Sequence, residues 1–184
     1  MSLVVLVGPA GVGKGSLVRE ILRTEQDFML SVSATTREPR EGEVDGVHYH
    51  FVTLDRFEQM IAQDELLEHA QVHGLHLYGT PKSELGRAED AGKHLVLEID
   101  LQGARQVRSH EPDAIEIFVH PPSWEELERR LRERATETES EIQTRLGTAR
   151  SELQAAGEFR HQVTNDNLTK CAAEIVETVR ERSK

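Results

Sequence analysis

A short apolar run, Leu3-Val4-Val5-Leu6-Val7, leads straight into Gly8-Pro9-Ala10-Gly11-Val12-Gly13-Lys14-Gly15-Ser16 and then into a helical pattern. This order is the strand, glycine loop and helix of a phosphate-binding loop, or P-loop. It commits the chain to an α/β architecture, because a strand without polar interruption is covered on both faces and belongs inside a parallel sheet. Gly8, Gly11, Gly13 and Gly15 remove side chains, so that successive backbone N–H groups converge on phosphate oxygens. The helix N-terminus behind them adds its positive dipole. Lys14 supplies a mobile full charge for the outer phosphates. An ordinary glycine turn requires neither the lysine at that offset nor the flanking strand and helix, so Gly8 through Ser16 are expected to hold a nucleoside triphosphate. One position departs from the usual pattern: Gly15 stands where most P-loops carry a magnesium-binding hydroxyl, and Ser16 follows one place later. Magnesium is accordingly expected to be held mainly by phosphates and water, with Ser16 within reach.

At 184 residues, 37% of them apolar, the chain suits one domain with a sizeable core and small mobile inserts. A net charge of -11 argues against a nucleic-acid backbone as partner, yet arginines cluster locally. In an acidic protein such clusters point to a small anionic ligand. The single cysteine, Cys171, cannot close an internal disulfide and falls in an apolar helical stripe, where it reads as a core residue. No stretch approaches the ~18 apolar residues of a membrane span, and the start does not resemble a signal peptide. The expectation is a cytoplasmic protein without a membrane partner.

Helical spacing places Leu17, Ile21 and Leu22 on an inward face between Ser16 and Arg23, and Phe28 to Val32 reads as a second strand. Ser33 to Gly46 is polar, punctuated by Pro39, Gly42 and Gly46, and reads as a functional loop. Val47 to Val52 reads as a half-exposed strand, and Thr53 as the cap of a helix with Phe57, Met60 and Ile61 inward. After Leu66-Leu67-Glu68 and a short polar stretch, Tyr78-Gly79-Thr80-Pro81 reads as a turn before a helix over Lys82 to Ala91, ended by Gly92. Core strands follow at His94 to Ile99 and Ala114 to Val119. Ser123-Trp124-Glu125-Glu126 is a capping box for a helix through Arg134, and a second helix runs from about Ser140 to Ala155. Gln162-Val163-Thr164 gives a last strand. The stripe Leu168, Cys171, Ala172, Ile175, Val176 and Val179 gives a docking helix through Arg182. His69, His73 and His76 have tempting spacing for zinc, but they fall across a turn with no cysteine nearby.

With the P-loop, the stretch Ser33-Ala34-Thr35-Thr36-Arg37-Glu38-Pro39-Arg40-Glu41-Gly42-Glu43-Val44-Asp45-Gly46-Val47-His48-Tyr49 resembles guanylate kinases. Further ordered matches are Glu65-Leu66-Leu67-Glu68, Tyr78-Gly79-Thr80, Leu97-Glu98-Ile99-Asp100-Leu101-Gln102-Gly103, Pro121-Pro122-Ser123 and Arg134-Ala135-Thr136-Glu137-Thr138-Glu139. The resemblance covers essentially the whole chain. It implies a P-loop kinase fold: a parallel core (1–32, 82–122 and 156–184), a small α+β insert for GMP (33–81) and a helical lid (123–155). It also implies magnesium-dependent transfer of a phosphoryl group from ATP to GMP, with the deoxy form of GMP left open.

On that resemblance, Arg37, Arg40 and Tyr49 clamp the GMP phosphate by charge-assisted hydrogen bonds and a phenolic donor. Glu43 and Tyr78 belong to the same GMP-binding set. Glu68, Ser33 and Thr80 match the positions that read guanine, whose N1–H and N2–H donors beside O6 need a carboxylate and a hydroxyl. Adenine would leave those groups unpaired, a mismatch that rejects a substrate by factors on the order of 10⁴, against ~10² for pocket size alone. Glu98 and Asp100 end a core strand and serve either guanine or magnesium with its water; residue types leave both roles open. The loose transition state needs positive charge more than a base, and Lys14, Arg37, Arg134 and Arg145 are the candidates to supply it. Arg130 and Asn165 match the adenine-nucleotide side. Ala135 replaces the glycine that often follows the lid arginine, which leaves the hinge geometry open. Trp124 reads as a packing anchor.

Two alternatives stay beside this reading. A kinase for another monophosphate would share the Gly-Lys-Gly run, but the Glu68, Ser33 and Thr80 set speaks against it. An interaction module that keeps the fold without catalysis would lack an intact phosphate loop, whereas Gly8, Gly13 and Lys14 are all present.

Overall fold

Every residue of the first apolar run is buried, so β1 (Leu3–Val7) has protein on both sides. In a computed structural model of the chain, which describes residues 1–72, 76–133 and 139–183, it is followed by α1 (Lys14–Thr24), β2 (Phe28–Leu30), β3 (Ala34–Thr35), β4 (His50–Phe51), α2 (Leu54–Ala62), β5 (Leu66–Val72) and β6 (His76–Pro81). Then come α3 (Ser83–Ala91), β7 (His94–Glu98), α4 (Leu101–His110), β8 (Ile115–His120), α5 (Trp124–Arg132), α6 (Glu139–Gln154), β9 (His161–Thr164) and α7 (Leu168–Arg182). Five strands form a parallel sheet in the order β2-β7-β1-β8-β9, which puts the loop-bearing strand at its centre.

The pleat of β1 divides the core. Val4 and Leu6 face one hydrophobic cluster, shared with Leu17, Val18 and Ile21 of α1, Leu127 and Leu131 of α5 and the buried stripe of α7. Leu3, Val5 and Val7 face a second, shared with Ala88 of α3 and Ala104 and Val107 of α4. Helices on both faces are what a parallel sheet requires. Cys171 lies in the first cluster, where burial pushes its thiol up to about 11. Among the described residues no helix is long and apolar enough to cross a membrane.

A second sheet, β4-β3-β6-β5, stands apart on a small core whose buried members, among the described residues, are Ala34, Phe57, Met60 and Leu66, with Val52 and Leu77 packed against them. Here the sequence expectations need most correction. The turn expected at Tyr78-Gly79-Thr80-Pro81 is instead the body of β6, antiparallel to a β5 that runs on through the stretch read as polar loop. Gly79 marks close packing: a Cβ there would sit 2.8 Å from the Glu68 carbonyl oxygen. Val47 to Val52 pairs only at His50–Phe51, and Ala34–Thr35 inside the expected loop is its strand partner. Thr53 caps α2 as expected, accepting from Arg56 N, but Ile61 points outward, as does Leu22 on α1, whose inward face uses Val18 instead. Leu168 likewise leaves the stripe of α7 and is 38% exposed.

Helix α4 was not expected at all; its buried positions are Gly103, Ala104 and Val107, too small and sparse to show an apolar stripe. Helix α5 ends at Arg132 rather than Arg134, and its capping box is half made, with Ser123 Oγ accepting from Glu126 N while the Glu126 carboxylate holds Arg129 and Arg130. Trp124 is the packing anchor it was read as, set against the first cluster with the Arg150 guanidinium 4.8 Å over its ring. Where the second sheet joins the first, the Glu84 carboxylate of α3, almost fully buried, accepts from Val32 N at 2.7 Å and from Arg87. That carboxylate ties the outgoing and returning crossings together.

Candidate active site

The loop after β1 takes its form from glycine backbone. Gly8, Gly11 and Gly13 all have positive φ, and Gly13, at 99°, is the left-handed N-cap of α1. No side chain caps that helix and its first turn carries no acid, so the positive end of its dipole faces the loop. Lys14 Nζ donates to Gly8 O at 2.5 Å, which seats the ammonium inside the loop. Two side chains brace the outer rim by donating to the same carbonyl, Val12 O: Asn165 Nδ2 at 2.9 Å and Arg130 Nη1 at 3.2 Å. Both line a cleft of 330 Å³ beside the loop, with Gly11, Gly13, Ser16, Asp166 and Leu168. The outward turn of Leu168 makes it a wall of this cleft.

A second cavity, 270 Å³, opens from Ala10 and Lys14 into the small sheet and is lined by Ser33, Tyr49, Glu68, Tyr78, Glu98, Asp100 and Glu152, among others. Strand register puts Glu68 of β5 opposite Thr80 of β6, and Thr80 Oγ1 donates to Glu68 Oε1 at 2.7 Å. Both residues are buried. Burial drives the Glu68 carboxyl up to about 7, against the Thr80 hydroxyl, which lowers it, and with the Asp100 charge, which raises it further. The other oxygen, Oε2, approaches the first turn of α4 so closely that a Cβ on Gly103 would lie 2.7 Å from it. Gly103, the last residue of the matching stretch Leu97 to Gly103, contributes the room it leaves for the Glu68 carboxylate.

The basic loop is ordered around one acid. Glu43 Oε1 accepts from Arg37 Nη2 at 2.8 Å and Oε2 accepts from Arg40 N at 2.7 Å, so its carboxyl is held down at about 2, chiefly by Arg37. Arg37 also donates to Glu38 O and lies 5.4 Å over the Tyr49 ring, which meets the Tyr78 ring edge-on at 5.9 Å. Arg37, Tyr49 and Tyr78 are thus brought together; Arg40 stays exposed at the rim, linked through its backbone. Glu43, expected in the GMP-binding set, binds the Arg37 guanidinium and the Arg40 amide and so orders the basic loop.

The two acids at the end of β7 point to different tasks. Asp100 caps α4, its Oδ1 accepting from Gly103 N at 2.8 Å, a use the sequence reading did not include. Glu98 turns to the loop: a Cβ on Gly15 would lie 3.3 Å from its Oε2, so the missing side chain at position 15 is the space this carboxylate faces. Ser16 and Glu98 line one 320 Å³ pocket with the loop, and Ser16 Oγ accepts from Arg19. Hard oxygen donors beside a phosphate loop fit magnesium.

Of the lid arginines, Arg134 lies outside the described residues. Arg145 is half-buried on α6; Arg129 and Arg132 pair with Glu126 and Glu128 one turn away. Glu152, on the same helix, was missed; its spacing of seven from Arg145 was the available signal. A further cavity, 490 Å³ near Val52, Met60 and Pro81, is rimmed by the Arg56–Glu65 and Lys82–Asp64 pairs and includes no residue of the phosphate loop.

Comparison with known proteins agrees with this geometry. The family model described as guanylate kinase matches residues 1–182. A guanylate kinase of Leifsonia xyli subsp. xyli is 53% identical over 175 residues, covering 95% of this chain and 69% of that one. Another, of Synechococcus elongatus, is 52% identical over 166 residues and covers 90% of each. The crystal structure of guanylate kinase from Anaplasma phagocytophilum superposes with a TM-score of 0.78 at 30% identity, over all of this chain and 87% of that one.

Proposed function

The chain belongs to the guanylate kinase family and phosphorylates GMP to GDP with ATP, and we propose that its two clefts divide the substrates between them. ATP takes the loop, with its phosphates on the backbone of Gly8 through Ser16 and Lys14, and its nucleoside side toward Arg130 and Asn165. GMP takes the second cavity. The observation that carries this assignment is the buried Glu68, paired with Thr80, in the wall of a cavity that Lys14 also lines.

Guanine presents N1–H and N2–H to the Glu68 carboxylate, and binding those donors favours the ionised acid that burial alone disfavours. Ser33 and Thr80 complete the reading of the base. Arg37, Arg40 and the Tyr49 hydroxyl hold the acceptor phosphate, with Glu43 fixing the arginine geometry and Tyr78 backing the ring of Tyr49. One oxygen of that phosphate attacks the terminal phosphorus of ATP in line, the bond to the ADP oxygen breaks, and ADP and GDP leave. Lys14 and Arg37 stabilise charge on the transferred group from opposite sides, joined by Arg145 and Arg134 from the lid.

Glu98 and Ser16 would hold magnesium, mainly through water, and the ion would supply charge screening for the phosphates, while Asp100 serves the guanine side. Core, insert and lid, with the boundaries given above, close on one another and exclude water, which protects ATP from hydrolysis. A cytoplasmic location fits substrates of this kind. Coupled ADP release measured with GMP, AMP, CMP and UMP tests the assignment: turnover should be confined largely to GMP, and equal rates with GMP and AMP would defeat it.

A further inference from the structure

Helix α6 carries Arg145, assigned above to the transferred group, and Glu152, whose side chain lines the acceptor cavity and has no role so far. Glu152 follows Arg145 by seven residues, two helical turns, and so shares its face. It lines the acceptor cavity beside Ala10 and Lys14. Its Oε2 is fully buried, with no hydrogen-bond partner among the described residues. Burial disfavours the charged form, while the Lys14 ammonium and the Ala10 amide favour it and the Asp100 charge opposes it.

A half-buried carboxylate is a poor lining for a cavity that must admit a phosphate. It repels the anion, and an unsatisfied buried oxygen is itself destabilising. An apolar side chain would fill the same place more favourably if packing were the only requirement. What the carboxylate can do that an apolar group cannot is act on the cation and the amide of the loop.

We propose that Glu152 is a positioning residue for phosphoryl transfer: its carboxylate, beside Ala10 and Lys14, keeps α6 in register with the phosphate loop so that Arg145 and Lys14 meet the same migrating group. Glu152 acts through those two cations and does not touch the reacting atoms. This assignment rests on the division of clefts given above.

The test compares Glu152→Gln, which keeps size and removes charge, with Glu152→Asp, Arg145→Ala and the double variant Glu152→Gln/Arg145→Ala. Steady-state kinetics with ATP and GMP are read alongside thermal melting. Glu152→Gln should lower kcat about tenfold with KM for GMP within twofold of wild type and a melting temperature unchanged or raised, because the buried charge is gone. Glu152→Asp should recover part of kcat. In the Arg145→Ala background the Gln substitution should add less than threefold, since both side chains serve one arrangement. An unchanged kcat in Glu152→Gln, full additivity with Arg145→Ala, or losses of kcat that track losses of melting temperature across the set would each overturn the proposal. A wild-type chain that phosphorylates AMP as well as GMP would overturn the cleft assignment instead, whatever Glu152→Gln does.

Discussion

The loop between β1 and α1 takes its shape from six consecutive residues, Gly8 to Gly13, whereas the acceptor cavity gathers Ser33, Tyr49, Glu68, Tyr78 and Asp100 from five separated segments. The loop presents backbone and is seated at the centre of a five-stranded sheet packed on both faces. The cavity presents side chains and, among the described residues, rests on a core of four buried ones. Phosphate is common to every nucleotide, so a generic backbone cradle suffices for it. Recognition of one base needs particular donors and acceptors removed from water, and the protein supports them with close packing, as at Gly103, and with a carboxyl pushed far from its usual range. Generic binding is local and robust, while specific binding is distributed and carries an energetic burden.

Substitutions in the two regions should therefore fail differently. Lys14→Ala should lower kcat by about 10³-fold while GMP affinity and the melting temperature stay near wild type, because the backbone cradle and the core remain. Retention of kcat within a factor of a few would break the donor side of the comparison.

Glu68→Gln should lower kcat/KM for GMP by about 10²-fold, since the amide sets a donor against guanine N2–H, while KM for ATP is unchanged. The same variant should be more stable than wild type at alkaline pH. A carboxyl raised to about 7 keeps its proton in the folded state where the unfolded chain has already lost it. Wild-type stability therefore falls as pH climbs from the unfolded value near 4.5 through 7, by up to about 3 kcal/mol, then levels off. Denaturant melts at pH 5 and pH 8 should show the Gln variant gaining on wild type only at the higher pH. A pH-independent difference would show that Glu68 is not desolvated. Gly103→Ala should give the smallest effect, about a tenfold loss in kcat/KM for GMP with ATP binding intact, as the added methyl displaces Glu68. A crystal structure of that variant with Glu68 unmoved, and full activity, would remove Gly103 from the site.

Legibility in the sequence followed the same division. The P-loop, the buried strands and the docking helix were readable because their cause is local: glycine positions, an unbroken apolar run, a 3.6-residue stripe. The small sheet was not. Tyr78-Gly79-Thr80-Pro81 has turn composition and becomes a strand only because Gly79 lets β5 approach, and His50–Phe51 is held by a two-residue partner far away in the chain. Of the site, Glu68, Thr80, Arg37 and Tyr49 were identifiable by resemblance. That Asp100 caps a helix, that Glu43 grips both arginine segments, and that Gly103 makes room for Glu68 became visible only with the packing.

The amino-acid order alone thus determined that a phosphate cradle would form and on which strand it would sit, since backbone conformation and β-strand burial are written in neighbouring residues. Tertiary structure decided which acid faces which ligand. Charge and hydrogen bonding act through space over a few ångströms, and Glu68, Glu98, Asp100 and Glu152 acquire different surroundings only when the strands and helices carrying them are packed together.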